Sequence, residues 1–163
     1  MAHAMFQSIR IGWPEIQLAL RSTVAAVLSL MAALWLGLDY PIYAFIAAVI
    51  VTDLKPGVSQ KLGLRRIGAT LVGASCGALL SGLVPGSPWG VGLGVLAAMI
   101  LAQILGAGEG ARVAGYISGI VLLDHSTAPW IYAFHRFVET ALGVLFAWAI
   151  SFVPKLINSE VKE

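Results

Sequence analysis

The chain has 163 residues, of which 59% are hydrophobic and 11% charged, with a formal net charge of +2 at pH 7. Soluble domains carry about a quarter charged residues and under half apolar ones, and a chain of this length folded in water still exposes about a third of its surface. A mean hydropathy of +0.89 therefore excludes a soluble globular enzyme, a disordered tail and a nucleic-acid binder, and makes the lipid bilayer the natural solvent. The single cysteine, Cys76, excludes an internal disulfide framework and a cysteine-based metal cluster.

Residues 1–14 form a polar N-terminal segment without a signal-peptide apolar run. Six apolar segments follow, predicted as helices near 15–38, 41–54, 62–84, 89–107, 111–124 and 129–153. Their breaks are chemical. Asp39-Tyr40-Pro41 stops the first, Pro56-Gly57 the second, and Pro85-Gly86-Ser87-Pro88 follows the third. Gly106, Gly108 and Gly110 surround Glu109 after the fourth; Asp124 to Pro129 separates the last two, with Ser126 or Thr127 as the expected N-cap. All six read as helices, because backbone in lipid must satisfy its own hydrogen bonds and the alternation of a membrane barrel strand is absent. The expected fold is an all-α integral membrane protein: a six-helix transmembrane domain over 15–154 and a C-terminal tail over 155–163.

Charge sets the expected orientation. With six crossings, Arg10, Arg21, Lys55, Lys61, Arg65, Arg66, Arg112, Lys155 and Lys162 fall on one side and only Arg136 on the other. The positive-inside rule then puts both termini in the cytoplasm. Trp35, Tyr40, Tyr43, Trp89, Trp130 and Tyr132 are expected as an aromatic belt at the outer interface.

Six spans divide into three plus three, and three per half inverts the halves in the membrane. The sequence carries matching signals. Arg66, Thr70 and Gly73 recur as Arg136, Thr140 and Gly143 in the same R-x-x-x-T-x-x-G spacing, 70 residues on. Leu36-Gly37 and Leu105-Gly106 match at an offset of 69, Asp53 and Asp124 at 71. The second helix of each half is short, about 21 Å at about 1.5 Å per residue against a hydrocarbon core of about 30 Å. Short segments at corresponding places point to a transport site, and their N-termini suit an anion. The bland reading is a bilayer that thins around them.

Charges inside a span each need a reason. Arg21 and Asp53 sit at similar depth on adjacent helices; they pair, or Arg21 snorkels to the inner headgroups. Arg66 and Arg136 open the third and sixth spans, as symmetry mates at opposite mouths of one pathway or, for Arg66, as positive-inside charge. Glu139 lies one turn beyond Arg136 and could neutralise it. Arg21, Asp53, Arg66, Thr70, Arg136, Glu139 and Thr140 are thus the candidate pathway residues; Gly68, Gly73, Gly77, Gly115 and Gly119 are candidate helix-packing positions. No nucleotide loop, metal-ligand cluster or nucleophile-and-base set is present, so no cofactor, metal or enzymatic activity is expected.

Leu20 to Ala26, Leu38-Asp39-Tyr40-Pro41, Leu54-Lys55-Pro56-Gly57, Arg65 to Gly77, and His135-Arg136 through Glu139-Thr140 to Gly143 resemble the fusaric-acid-resistance and aromatic acid exporter family over residues 15 to 154. Ala69, between Gly68 and Thr70, departs from the Gly-Thr often seen there. The resemblance implies a six-helix domain of a bacterial inner membrane that exports aromatic carboxylic acids. Many members carry a cytoplasmic domain or second membrane unit, so a unit this small is expected to oligomerise, most simply as a dimer. The competing expectation is a non-transporting accessory or structural subunit of a larger membrane complex, in which Arg136 and Glu139 pair inside a sealed bundle.

Overall fold

A computed structural model describes residues 12–84, 87–124 and 128–153. Six α-helices account for them: α1 (Trp13–Trp35), α2 (Ile42–Val51), α3 (Pro56–Ser81), α4 (Pro88–Ile104), α5 (Gly110–Asp124) and α6 (Pro129–Ser151). No strand occurs among the described residues. By length and composition α1 and α6 are long and apolar enough to cross a membrane. The expected caps Ser126 and Thr127 and the terminal charges Arg10, Lys155 and Lys162 lie outside the described residues.

Helices α1 to α4 each end three residues before the sequence-based boundaries, and two differences bear on the site. Helix α3 starts at Pro56 rather than near 62, because proline at the first helical position fits the helix backbone and Lys61, Arg65 and Arg66 continue the helix past the end of the apolar run. Helix α2 has 10 residues, about 15 Å of helix. It is shorter than expected because Thr52, its C-cap, is already extended.

The packing relates the segments 13–81 and 88–151 closely. Helix α2 packs parallel to α6, with Tyr40 beside Glu139 and Ala44 beside Gly143. Helix α5 packs parallel to α3, with Gly110 beside Ala69 and Ala114 beside Gly73. Adding 70 to the first set of numbers, or subtracting it, gives the second. The short helix of each segment thus lies on the third helix of the other, and α3 and α6 run antiparallel between them: Gly63 faces Val144, Thr70 meets Thr140, and Ala74 clusters with Ala133. Helices α1 and α4 flank the outside, on α2 and α6 and on α5 and α3 respectively.

The close approaches require glycine. A Cβ on Gly73 would run into the Ala114 backbone, and one on Gly143 into the Ala44 carbonyl. Gly77 rests on Ser118 and Val121, Gly115 on Met99 and Gly119 on Val95, as packing positions. Gly68 is not one: a Cβ there would meet nothing within 4 Å. Gly94, against Leu122, and Gly63, against Val144, are contacts that the glycine spacing in the sequence did not single out.

Helices α1 and α4 end alike. Gly37 (φ +65°) and Gly106 (φ +77°) occupy the left-handed region. Leu38 N–H donates to Ala33 O at 3.0 Å and Ala107 N–H to Ala102 O at 2.9 Å, the six-to-one bond of a glycine C-cap. The Leu-Gly pairs at an offset of 69 are therefore two copies of one helix stop.

Candidate functional site: two buried arginines on crossing helices

The centre of the protein is polar. Thr70 and Thr140 hydroxyls approach to 3.4 Å where α3 crosses α6, and Thr70 Oγ1 also donates to Arg66 O at 2.9 Å. One turn before each threonine stands an arginine. Arg66 and Arg136 are 7% and 1% exposed. Because α3 and α6 are antiparallel, the two lie on opposite sides of the threonine contact.

Each arginine faces a tyrosine from the short helix of the other segment. Arg136 lies over the Tyr43 ring, with Cζ 3.1 Å from the centroid. Arg66 Nη2 donates to Tyr116 Oη at 2.5 Å, with its Cζ 5.6 Å from that ring centroid. A guanidinium on an aromatic face keeps its donor edges available for a carboxylate. Arg136 Nε and Nη1 and Arg66 Nε are buried and have no hydrogen-bond partner among the described residues. An orphaned buried donor on a cation is costly.

The surroundings of the two arginines differ. At the Glu109 end, Arg65, Arg66, Glu109, Gly110, Arg112 and Tyr116 border a cleft of about 440 Å³, and Tyr116 is exposed. At the Asp39 end three tyrosines cluster. Tyr40 packs on Tyr43 (6.1 Å between centroids) and edge-on to Tyr132 (5.5 Å). The belt expected from the sequence therefore splits. Trp35, Trp89 and Trp130 are exposed, whereas Tyr40, Tyr43 and Tyr132 pack together inside. Asp39 pairs with His135 Nδ1 at 2.7 Å on the rim. Glu139, 0% exposed, accepts from Tyr40 N–H through Oε1 at 2.9 Å; its Oε2 has no partner.

Two expected site residues lie elsewhere. Arg21 is buried but does not pair with Asp53. It donates to Leu54 O at 3.0 Å and to Val153 O, tying the chain beyond α2 to the chain beyond α6. The Asp53 carboxylate instead accepts from Lys55 N–H at 2.9 Å and shapes the turn into α3. Position along a helix leaves the direction around it open. Tyr43 and Tyr132 were missed as site residues because an aromatic near a helix start reads first as a membrane-interface residue.

Apolar composition, two helices long enough to span, and a buried arginine pair define a helical membrane protein. The chain belongs to the fusaric acid resistance protein-like family, whose model matches residues 26–150. It is similar over 73 residues to the uncharacterized transporter YdhK of Escherichia coli (strain K12), at 40% identity, and to that of Salmonella typhimurium, at 37%. The match covers 44% of this chain and 11% and 10% of those two relatives, so the chain spans only about a tenth of their length. No solved structure matches it.

Proposed function

We propose that the chain is a membrane-transport unit for organic, aromatic carboxylate anions, working in a bacterial plasma membrane as a homo-oligomer, with a dimer as the simplest form. In this reading residues 15–154 cross the bilayer six times as a 3+3 inverted repeat, the termini and the Glu109 end face the cytoplasm, and the Asp39 end faces outward. The matched contacts at an offset of 70 and the twin glycine stops support the repeat. The family and the transporter-named relatives support transport.

One observation carries the substrate class: two buried guanidinium groups, each set on a tyrosine and each with an unpartnered donor, at repeat-related positions. A carboxylate offers the oxygens that those donors lack, and a ring beside it can rest against Tyr43 or Tyr116. An accessory subunit with a sealed bundle calls for an Arg136–Glu139 ion pair. The one ion pair within 4 Å among the described residues is His135–Asp39, which favours the transport reading.

The test is benzoate flux into proteoliposomes. Arg66→Gln and Arg136→Gln each remove a charged hydrogen-bond donor set worth about 1.5–3 kcal/mol, or roughly 10- to 100-fold. Each variant should lose flux on that scale while eluting as the wild type does. Wild-type flux in both variants would refute the assignment.

A further inference from the structure

The Asp39 end carries a buried carboxylate, Glu139, one turn from its arginine, whereas the Glu109 end has alanine at that place and its carboxylate, Glu109, is exposed on the cleft. Glu139 corresponds to Ala69 at the offset of 70, and Tyr40 to Gly110. At one end a carboxylate accepts from the backbone N–H beside the start of the short helix; at the other, Ala69 merely touches Gly110. Resting on the anion reading above, we propose that Glu139 is a built-in stand-in for the transported carboxylate, and that it takes up one proton for each anion that binds Arg136.

The argument is charge balance in a dry place. Arg136 and Glu139 are 1% and 0% exposed, and an uncompensated charge at such a site costs several kcal/mol. With Glu139 ionised, the empty site is neutral, an arginine cation with a glutamate anion one helical turn away. The glutamate makes no ion pair with Arg136 within 4 Å and leaves Nε and Nη1 open. A cargo carboxylate on that edge brings a second negative charge. One proton from water, added at the unpartnered Oε2 of Glu139, restores neutrality, and Oε1 still accepts from Tyr40 N–H. No bond other than the new O–H changes.

The other groups facing Glu139 do not offer the same balance. Asp39, on the α1–α2 connection, is held by His135 of α6. Tyr40 beside α2, Tyr43 of α2 and Tyr132 of α6 present packed aromatic rings on that side. Arg66 of α3 lies across the threonine contact, bordering the cleft with Glu109 and Tyr116 of α5. Arg21 of α1 is at the far end, on Leu54 and Val153. The consequence is that cargo crosses the outer half with a proton and no net charge.

The test uses the full chain in nanodiscs, in weakly buffered solution near pH 7 with an indicator dye. Sodium benzoate is added at matched pH, and bound benzoate is counted in parallel by equilibrium dialysis. The expected result is about one proton taken up per benzoate bound. Glu139→Gln should take up none for whatever benzoate it binds, and benzoate flux through it should become sensitive to an imposed membrane potential to which wild-type flux is indifferent. Wild-type binding without proton uptake overturns the proposal and leaves the anion reading standing, as does a Glu139→Gln variant with the wild-type proton count. No benzoate binding by the wild type overturns the anion reading itself and this proposal with it. The wild-type count decides even if the variant does not fold.

Discussion

Alanine at Gly68, Gly73 and Gly143 should separate the packing argument from helix propensity. All three lie inside helices, where alanine is favoured over glycine by about 1 kcal/mol. At Gly68 a Cβ meets nothing within 4 Å, so only the propensity gain remains. At Gly73 the added carbon collides with the Ala114 backbone, and at Gly143 with the Ala44 carbonyl, the Ala47 Cβ (2.8 Å) and the Ala48 nitrogen (3.0 Å). Backbone cannot swing aside as a side-chain tip can, so the overpacking penalty falls at or above the upper end of about 1–3 kcal/mol. Subtracting the propensity gain leaves a net loss of about 2 kcal/mol for each. At roughly 2–4 °C per kcal/mol for this chain length, Gly73→Ala and Gly143→Ala should each lower the melting temperature by roughly 4–8 °C. Gly68→Ala should raise it by roughly 2–4 °C. The assay is thermal unfolding in one detergent, followed by intrinsic tryptophan fluorescence. Because Gly73 and Gly143 hold equivalent contacts, their losses should agree within about 1 kcal/mol. Equal tolerance of all three substitutions, or a large loss at one of the pair only, would refute the equivalence of the two helix contacts.

Arg21 holds chain ends rather than cargo, so Arg21→Gln should lower the melting temperature by roughly 4–8 °C, from about 2 kcal/mol of lost charged hydrogen bonding, while the KM for benzoate stays at the wild-type value; a raised KM with unchanged stability would return Arg21 to the pathway. Orientation is testable with a membrane-impermeant maleimide in a Cys76→Ala background. The exposed positions Asp39 and Glu109, each changed to cysteine in turn, should label from the outside and from the cytoplasm respectively, and labelling of both from one face would remove the six-crossing topology.

Most of the fold is legible because its signals are local. Prolines at 41, 56, 88 and 129 lie beside or within the first turns of four helices, and two Leu-Gly pairs stop α1 and α4. The R-x-x-x-T-x-x-G spacing also survives into three dimensions, since it brings Thr70 against Thr140 and places both glycines on backbone. What the sequence leaves open is azimuth. Arg21 and Asp53 share a depth but face different neighbours, and Gly68 shares a helix with Gly73 but not its face. The tyrosine cluster joins α2 with α6, residues 40 and 132, and no local pattern announces a contact over that separation.

The two ends of the molecule show how a repeated motif acquires a direction. The repeat supplies an arginine, a threonine and a glycine to both ends, so the motif alone is symmetric. The residues around it are not. Where one end has Ala69, Gly110 and Leu62, the other has Glu139, Tyr40 and Tyr132. Small and aliphatic residues leave room for a cleft bordered by Arg65, Arg66 and Arg112, whose field attracts anions from the adjoining water. Tyrosines and a carboxylate gather at the other end, and in the proposed reading Glu139 competes with cargo for Arg136. In the transport reading proposed above, an anion would enter at the cleft, where alanine stands in the place of Glu139, and would be displaced at the far end as Glu139 gives up its proton. Under the orientation proposed above, that order runs from the cytoplasm outward. On that reading Glu139 makes the two ends unequal holders of an anion, while the cargo and proton gradients fix which way net flux runs.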